Sequence, residues 1–278
     1  MLFLLLAILS SSVIAVLMRV STNRISANLS MLAVNYLVCS FLGAAYTGFL
    51  PVAPGYSGFS TTLWLGIVSG FLYLGGFVLC QYNTRTNGIV LTSIFMKLGL
   101  LVPVVLSLIF FREVPGANQI IGFCVAVFAI VLINLKKERS GNSFGWSLLL
   151  MLLMCGGSDA MSKVFEKLGP AEFSDSFLLF CFATAFLLCL GLVLYKKEKP
   201  GFWEILFGAL IGIPNFFSAK FLLGALTQLP AVVVYPSFSV ATLLIVTLSG
   251  VAIFRERLSK TQWVALAAII IALIFLNI

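Results

Sequence analysis

Long apolar stretches recur from one end of the chain to the other, and they limit its fold more than any other feature. Each stretch has about 20 residues, enough for a helix to cross a bilayer core of roughly 30 Å. Of the 278 residues, 61% are hydrophobic and only 9% are charged, whereas a soluble domain carries roughly 25% charged residues. The sequence therefore predicts a polytopic, all-α integral membrane protein.

Polar, glycine and proline clusters divide the chain into ten predicted transmembrane helices. The links between them are very short, so consecutive helices are expected to be antiparallel neighbours with no room for a soluble domain. The first span lacks the basic n-region and cleavage site of a signal peptide and is expected to stay in the mature protein. The predicted spans lie near 2–20, 30–50, 60–81, 88–111, 117–135, 144–164, 174–195, 202–223, 230–254 and 260–277.

Positive charges are concentrated in alternate loops. The loops after the odd-numbered spans hold Arg19, Arg24, Arg85, Lys136, Lys137, Arg139, Lys196, Lys197, Lys199, Arg255, Arg257 and Lys260. The opposite loops hold only Arg112, Lys163 and Lys167. Because cytoplasmic loops are enriched in Lys and Arg, both termini are predicted to lie outside the plasma membrane. The net charge of +8 then indicates contact with anionic lipid and not with nucleic acid.

A short motif occurs twice, once in each half of the sequence. Residues 110–122 read FFREVPGANQIIG and residues 253–265 read IFRERLSKTQWVA, with 143 positions between Glu113 and Glu256. Other pairs at this offset are Phe111 and Phe254, Arg112 and Arg255, Gln119 and Gln262, Asn134 and Asn277, and Thr84 and Thr227. The chain is predicted to be a tandem duplication, with five-helix repeats over 1–138 and 144–278 and a linker at 139–143.

An odd number of spans in each repeat has a topological consequence. The second repeat starts on the opposite side of the membrane from the first, so the two halves are predicted to be inverted repeats. Inverted repeats with a binding site near the midplane are a recurring design of secondary transporters.

The repeated motif is expected to be a tight turn before the last helix of each half. Ser259 and Gln262 have the spacing of a capping box, and Gly116 and Gln119 form a weaker version of it. Each glutamate lies just before a helix start, where a negative charge meets the positive end of the helix dipole. The glutamates are therefore predicted to be structural and not catalytic.

Ten spans in two halves, each with such a turn, resemble the drug/metabolite transporter superfamily, in particular its EamA-domain members. The second half carries Glu-Arg-Leu-Ser at 256–259, and the first carries the degraded form Glu-Val-Pro-Gly at 113–116 followed by Gln-x-x-Gly at 119–122. The resemblance implies alternating-access transport of small metabolites, often export, with helices three, four, eight and nine around the cavity. The prolines common in the fourth and ninth helices of the family are shifted here, to Pro103 and Pro236.

Three ionisable side chains within the predicted spans stand out, because a charge in a helix centre costs about 2.5–3.5 kcal/mol on insertion scales. Lys97, in the middle of the fourth span, is predicted to bind a substrate carboxylate or phosphate; the alternative is a structural cation held by Asp159 or by carbonyls. Asp159 is predicted to couple proton movement to transport, or alternatively to pair with Lys163 one turn away. Lys220 either snorkels to the headgroups or faces the site.

Irregular helices supply the other predicted substrate-binding residues. Pro214 is expected to interrupt the eighth span beside Asn215, and interrupted helices are tolerated where they face protein or a water-filled cavity. Pro236, preceded by Tyr235, is the matching irregularity in the ninth span. The remaining candidates are Tyr73 and the repeat-related pair Phe95 and Phe238.

Other polar and small residues are expected to be structural. Asn35 can satisfy its hydrogen bonds locally, and the motifs Gly66-x-x-x-Gly70 and Gly208-x-x-x-Gly212 indicate close helix packing. The six cysteines lie in apolar runs without Cys-x-x-Cys spacing, so they are expected to be buried thiols and neither disulfides nor metal ligands.

The leading hypothesis is a secondary transporter of a small polar or amphipathic metabolite, with an amino acid or another organic anion left open. Coupling to a proton or counter-substrate is expected, since the chain has no P-loop and no soluble nucleotide domain. The alternatives are a passive channel or structural membrane partner and, less favoured, an intramembrane enzyme. Without histidine, a nucleophile and base pair or a metal cluster, no enzyme activity or cofactor is predicted. A monomer or homodimer is expected.

Overall fold

The computed structural model is almost entirely helical. The structure describes residues 1–21, 24–49, 54–134, 146–254 and 260–277. Over these residues, which include no strand, the elements are α1 (Leu2–Ser21), α2 (Asn28–Tyr46), α3 (Phe59–Thr86), α4 (Ile89–Leu98), α5 (Leu101–Phe110), α6 (Ala117–Asn134), α7 (Trp146–Leu168), a 3-10 turn η1 (Ala171–Phe173), α8 (Ser174–Lys196), α9 (Phe202–Leu226), α10 (Ala231–Phe254) and α11 (Lys260–Asn277).

The helices have the length and composition of membrane spans. Nine segments in the described part of the chain are long and apolar enough to cross a bilayer, and α6 contributes a shorter apolar helix, Ala117–Leu132. The predicted all-α membrane fold is therefore confirmed, with α4 and α5 sharing the fourth span. The predicted linker at 139–143 and the second turn at 255–259, with Glu256 and Ser259, lie outside the described residues. The inverted repeats accordingly stay a prediction.

Two helices continue further than predicted. The expected loop at 82–88 is helical as far as Thr86, because polar side chains in this turn find partners. The Thr84 and Thr86 hydroxyls donate to backbone carbonyls one turn earlier, and buried Asn83 donates to the carbonyl of Ser147 at 3.0 Å. Likewise α7 continues to Leu168, so that the two lysines expected in the following loop are helical residues.

Helix breaks do not fall where the prolines first suggested. The predicted interruption at Pro214 was wrong, since α9 runs through it, and α10 also runs through Pro236. The break lies between α4 and α5, because Pro103 has no N–H for the carbonyl of Gly99. That carbonyl accepts from the Val102 N–H at 2.9 Å, and the Leu100 N–H donates to the Lys97 carbonyl at 3.4 Å. These tighter, 3-10-type bonds end α4 at Leu98, one residue after Lys97.

The helices group into two compact units. Unit 1 consists of Met1–Leu74 and Met161–Thr227, and unit 2 consists of Gly75–Ala160 and Gln228–Ile278. Each unit therefore contains segments from both halves of the sequence.

Within unit 1, glycines allow close contact between helices. A Cβ on Gly70 of α3 would lie 2.8 Å from Cβ of Thr184 in α8, and one on Gly208 of α9 would lie 2.6 Å from the carbonyl oxygen of Met31 in α2. Side chains larger than hydrogen do not fit at either position without movement of the neighbouring helix. The predicted packing role of the two small-residue motifs is confirmed.

One end of unit 1 is fixed by Glu204 in the first turn of α9. Its Oε2 accepts from the Gly201 N–H at 3.1 Å, which caps α9. Its Oε1 accepts from the N–H groups of Ser26 and Ala27 at 3.0 and 3.3 Å, just before α2 begins. Because a carboxylate is a strong acceptor, this side chain holds two chain segments that are far apart in sequence.

In unit 2, the turn at 111–116 has the predicted structural role. The Gly116 N–H donates to the side-chain oxygen of Gln119 at 3.2 Å, which confirms the reciprocal half of the predicted cap. Glu113 also has a contact that the sequence did not suggest. Its Oε2 accepts from the Ala231 N–H at 2.9 Å, at the first residue of α10. The carboxylate therefore stabilises a helix start that is 118 residues away in sequence.

Candidate functional site

Unit 2 brings together the two mid-span charges predicted from the sequence. Lys97 is in the last turn of α4, Asp159 is in α7, and both side chains are half-buried. Both belong to the same compact unit, and none of the ion pairs among the described residues joins their side chains. This arrangement leaves both charged groups able to contact a third group.

The close approach of α4, α5 and α7 positions these charges. A Cβ on Gly156, three residues before Asp159, would lie 2.6 Å from Cγ2 of Val102 and would collide with the carbonyl of Gly99. Because α7 stays helical at this point, Gly156 serves for close contact and not for a break. The kink after Lys97 and the turn of α7 before Asp159 are therefore in backbone contact.

Tyr235 supports α7 at the same residue. Its ring is 1% exposed, and its hydroxyl donates to the backbone carbonyl of Asp159 at 2.7 Å. Tyr235 thus orients the backbone that carries the carboxylate. Phe95 and Phe238 belong to the same unit and are half-buried, and their predicted contact with substrate stays a prediction.

Unit 1 contains a second polar cluster, built around Asn215 of α9. The Tyr73 hydroxyl donates to Oδ1 of Asn215 at 3.1 Å, and Nδ2 of Asn215 donates to Oδ1 of Asn35 at 3.2 Å. Asn35 and Asn215 are 2% and 8% exposed. Sequence reasoning brought forward Tyr73 and Asn215 but missed Asn35, which bonds across to another helix. Its signal was a full amide in the middle of an apolar span, where an unpaired polar group costs several kcal/mol.

Aromatic rings extend from this polar cluster along unit 1. The ring centroids of Tyr73 and Phe182 are 5.9 Å apart, those of Phe182 and Phe216 are 6.3 Å apart, and those of Phe216 and Tyr46 are 5.5 Å apart. Such spacings are those of favourable aromatic pairs. The rings connect the Asn215 cluster to the end of α2, where Tyr46 lies.

Lys220 is held at this end by protein groups, and its predicted reach to the headgroups stays a prediction. Its Nζ lies 2.5 Å from Oδ1 of Asp175 and 3.7 Å from the centre of the Tyr46 ring. Asp175, in the first turn of α8, was not predicted from the sequence. A single acid at the edge of a span gives no sign of its partner.

The remaining ionisable residue of interest is Lys163 in α7. It is 1% exposed, and its Nζ lies 2.8 Å from Oε2 of Glu166. The structure thus records Glu166 as an ion-pair partner for Lys163, whereas the sequence suggested Asp159.

The described residues give no sign of a metal centre or disulfide. They contain no group of three or more His, Cys, Asp or Glu side chains placed to hold a metal ion. The six cysteines are free thiols; Cys39, Cys181 and Cys189 are buried, but Cys124 is exposed, in contrast to the expectation for all six.

Fold and charged spans together define a multi-pass helical membrane protein. Residues 144–278 match the EamA-like transporter family, which confirms the resemblance found in the sequence. This match identifies the carboxy-terminal half of the chain as an EamA-like transporter domain.

Two further similarities cover nearly the whole chain. An uncharacterized protein of Haemophilus influenzae is 22% identical over 280 residues, which span 95% of this chain and 93% of the relative. A solved crystal structure matches 99% of this chain and 94% of its own, with a TM-score of 0.73 and 18% identity. Because the two chains are only 18% identical, the match to the crystal structure shows a similar fold alone.

Proposed function

We propose that the protein is a secondary transporter that moves a small polar or amphipathic metabolite by alternating access. The observation that carries the proposal is the half-buried pair Lys97 and Asp159, on α4 and α7 of unit 2. Each charge costs about 2.5–3.5 kcal/mol to insert in a helix centre. Charges at this depth are characteristic of ion and substrate pathways.

The pair also suggests roles for the two charges. The ammonium of Lys97 suits a carboxylate or phosphate group of the substrate, which favours an amino acid or another organic anion. Asp159, with its backbone held by Tyr235, would respond to a proton or to the charge of a counter-substrate. Export is the direction that the family resemblance favours. Phe95 and Phe238 of unit 2 and, separately, Tyr73, Asn215 and Lys220 of unit 1 are also proposed to contact substrate.

Counterflow in proteoliposomes tests this function. The purified protein is reconstituted into vesicles loaded with a metabolite mixture, and uptake of labelled amino acids and organic anions is followed. We expect saturable uptake that rises when the same compound is present inside, because a carrier returns faster when loaded. Flux that never saturates would indicate the alternative of a passive channel, and no flux in any direction would favour a structural membrane partner.

For orientation, we propose that the chain lies in the plasma membrane with both termini outside, on the distribution of Lys and Arg. The exposed Ser57 would then face outward and the exposed Arg85, in the last turn of α3, would face inward. In a background without the exposed Cys124, we expect an impermeant thiol reagent to label Ser57→Cys in intact cells and to label Arg85→Cys only after lysis. The reverse pattern would invert the topology.

A further inference from the structure

The strongest additional feature is the environment of the Lys220 ammonium in unit 1. Oδ1 of Asp175 lies 2.5 Å from Nζ, and the face of the Tyr46 ring lies 3.7 Å from it. The side chains of Lys220 and Asp175 are 26% and 31% exposed, and Tyr46 is 49% exposed. A carboxylate and an aromatic face thus converge on one cation at a partly exposed site. Tyr46 and Asp175 are called the ammonium cage below.

Neighbouring rings hold the cage in shape. Phe216 stacks on Tyr46 with 5.5 Å between centroids, and Phe217 meets its edge at 6.1 Å. Carboxylate plus aromatic face is the combination by which proteins recognise organic ammonium groups, including quaternary ones. Phe217, which is half-buried, offers apolar surface beside the cage for the body of such a ligand, whereas Phe216 and Phe182 are fully buried.

The ion pair of Lys220 contributes little to the stability of the fold. Exposed ion pairs contribute little to stability, and ordering a long lysine side chain costs rotamer entropy. The ion pair of Lys163 and Glu166 in the same unit differs in burial, since Lys163 is 1% exposed. The Lys220 ammonium can therefore leave its partners at little cost, whereas the Lys163 ammonium cannot.

We propose that Tyr46 and Asp175 form a binding site for the ammonium group of an organic amine, and that Lys220 occupies this site until the ligand displaces it. The proposal rests on the transport function for its physiological meaning and narrows the substrate class to amine-bearing compounds. Its ligand is recognised by charge at Asp175 and by the ring of Tyr46.

The first test uses n-butylammonium, which has the structure of the lysine side chain, on full-length protein purified in detergent. We expect Lys220→Ala to bind it at least about tenfold more tightly than wild type, since a favourable cation–π contact and a freed carboxylate together exceed 1.4 kcal/mol. Lys220→Arg is the matched control, because its guanidinium refills the cage and should give no gain. Butyrate, with the same chain and opposite charge, should bind neither variant.

Three second-site variants test which residues cause the tighter binding. In the Lys220→Ala background, Asp175→Asn and Tyr46→Leu should each remove it, while Tyr46→Phe should keep most of it because the ring face is retained. A folded Lys220→Ala protein without the gain, or a gain that survives Asp175→Asn, would overturn the proposal.

A measurement on the wild-type protein tests displacement itself and does not depend on how the variants fold. Tetramethylammonium should increase acylation of Lys220 by an amine-reactive reagent, measured by mass spectrometry, and should leave acylation of Lys167 unchanged. Unchanged Lys220 reactivity at saturating tetramethylammonium would show a closed ion pair and refute the inference. If the ammonium compounds bind but no metabolite shows counterflow, only the transport function is refuted. If a metabolite without an amine shows counterflow and the ammonium compounds do not bind, only the ammonium cage is refuted.

Discussion

Replacement of Lys97 by methionine is expected to reduce counterflow by about 100-fold or more while the protein still reaches the membrane. Without the ammonium the substrate anion would lose its charged partner, a loss worth about 2–5 kcal/mol at a buried binding site, and each 1.4 kcal/mol is a factor of ten. Lys97→Arg keeps the charge and should retain part of the activity. Lys167→Met is the matched control, because that lysine is 38% exposed and its contact with Glu166 is 3.5 Å long.

The double variant Lys97→Met with Asp159→Asn separates a transport role from a structural one. Removing both charges should restore the melting temperature toward wild type, since no uncompensated charge remains in the span. Transport should stay lost, because the substrate and the coupling ion have no charged partner. Recovery of counterflow in the double variant would mean that Lys97 and Asp159 only neutralise each other, and the proposed function would need another site.

The sequence predicted the spans well because membrane insertion is decided by local composition. Apolar runs and polar breaks determine which residues can lie in lipid, and this information is contained within each 20-residue window. The exceptions are instructive. The helix of α3 reaches Thr86 because Asn83 finds a partner on α7, and no local pattern reports a partner that is 64 residues away.

The candidate site was predictable only in part, for the same reason. A charge or amide in the middle of an apolar span is visible in the sequence itself, so Lys97, Asp159 and Asn215 could be selected as candidates. Their partners could not be selected, because Asn35 looked like a residue that satisfies itself and Asp175 like a helix-end acid. Proline was also misleading as a marker of helix breaks, since Pro214 and Pro236 lie inside continuous helices. In membrane helices neighbouring groups and local adjustments can satisfy the carbonyl that a proline frees, so a proline need not end the helix.

Gly156→Ala is expected to lower the free energy of unfolding by about 1–3 kcal/mol, the usual cost of overpacking. The added Cβ would lie 2.6 Å from Cγ2 of Val102 and would meet the carbonyl of Gly99. Because that carbonyl is backbone, relief requires α4 and α5 to move away from α7. Such a movement shifts Lys97, two residues before Gly99, relative to Asp159, and counterflow should fall together with the melting temperature.

Gly191→Ala provides the matched control for this substitution. Gly191 also lies within a helix, and a Cβ there would meet nothing within 4 Å. Alanine at such a position favours the helix by roughly 0.5–1 kcal/mol, so the melting temperature should stay level or rise. If both variants melt alike and transport alike, α7 and the α4–α5 kink are not in rigid contact. The spacing of Lys97 and Asp159 must then be set by some other part of unit 2. If counterflow and melting temperature fall only in Gly156→Ala, one backbone contact sets the spacing of Lys97 and Asp159.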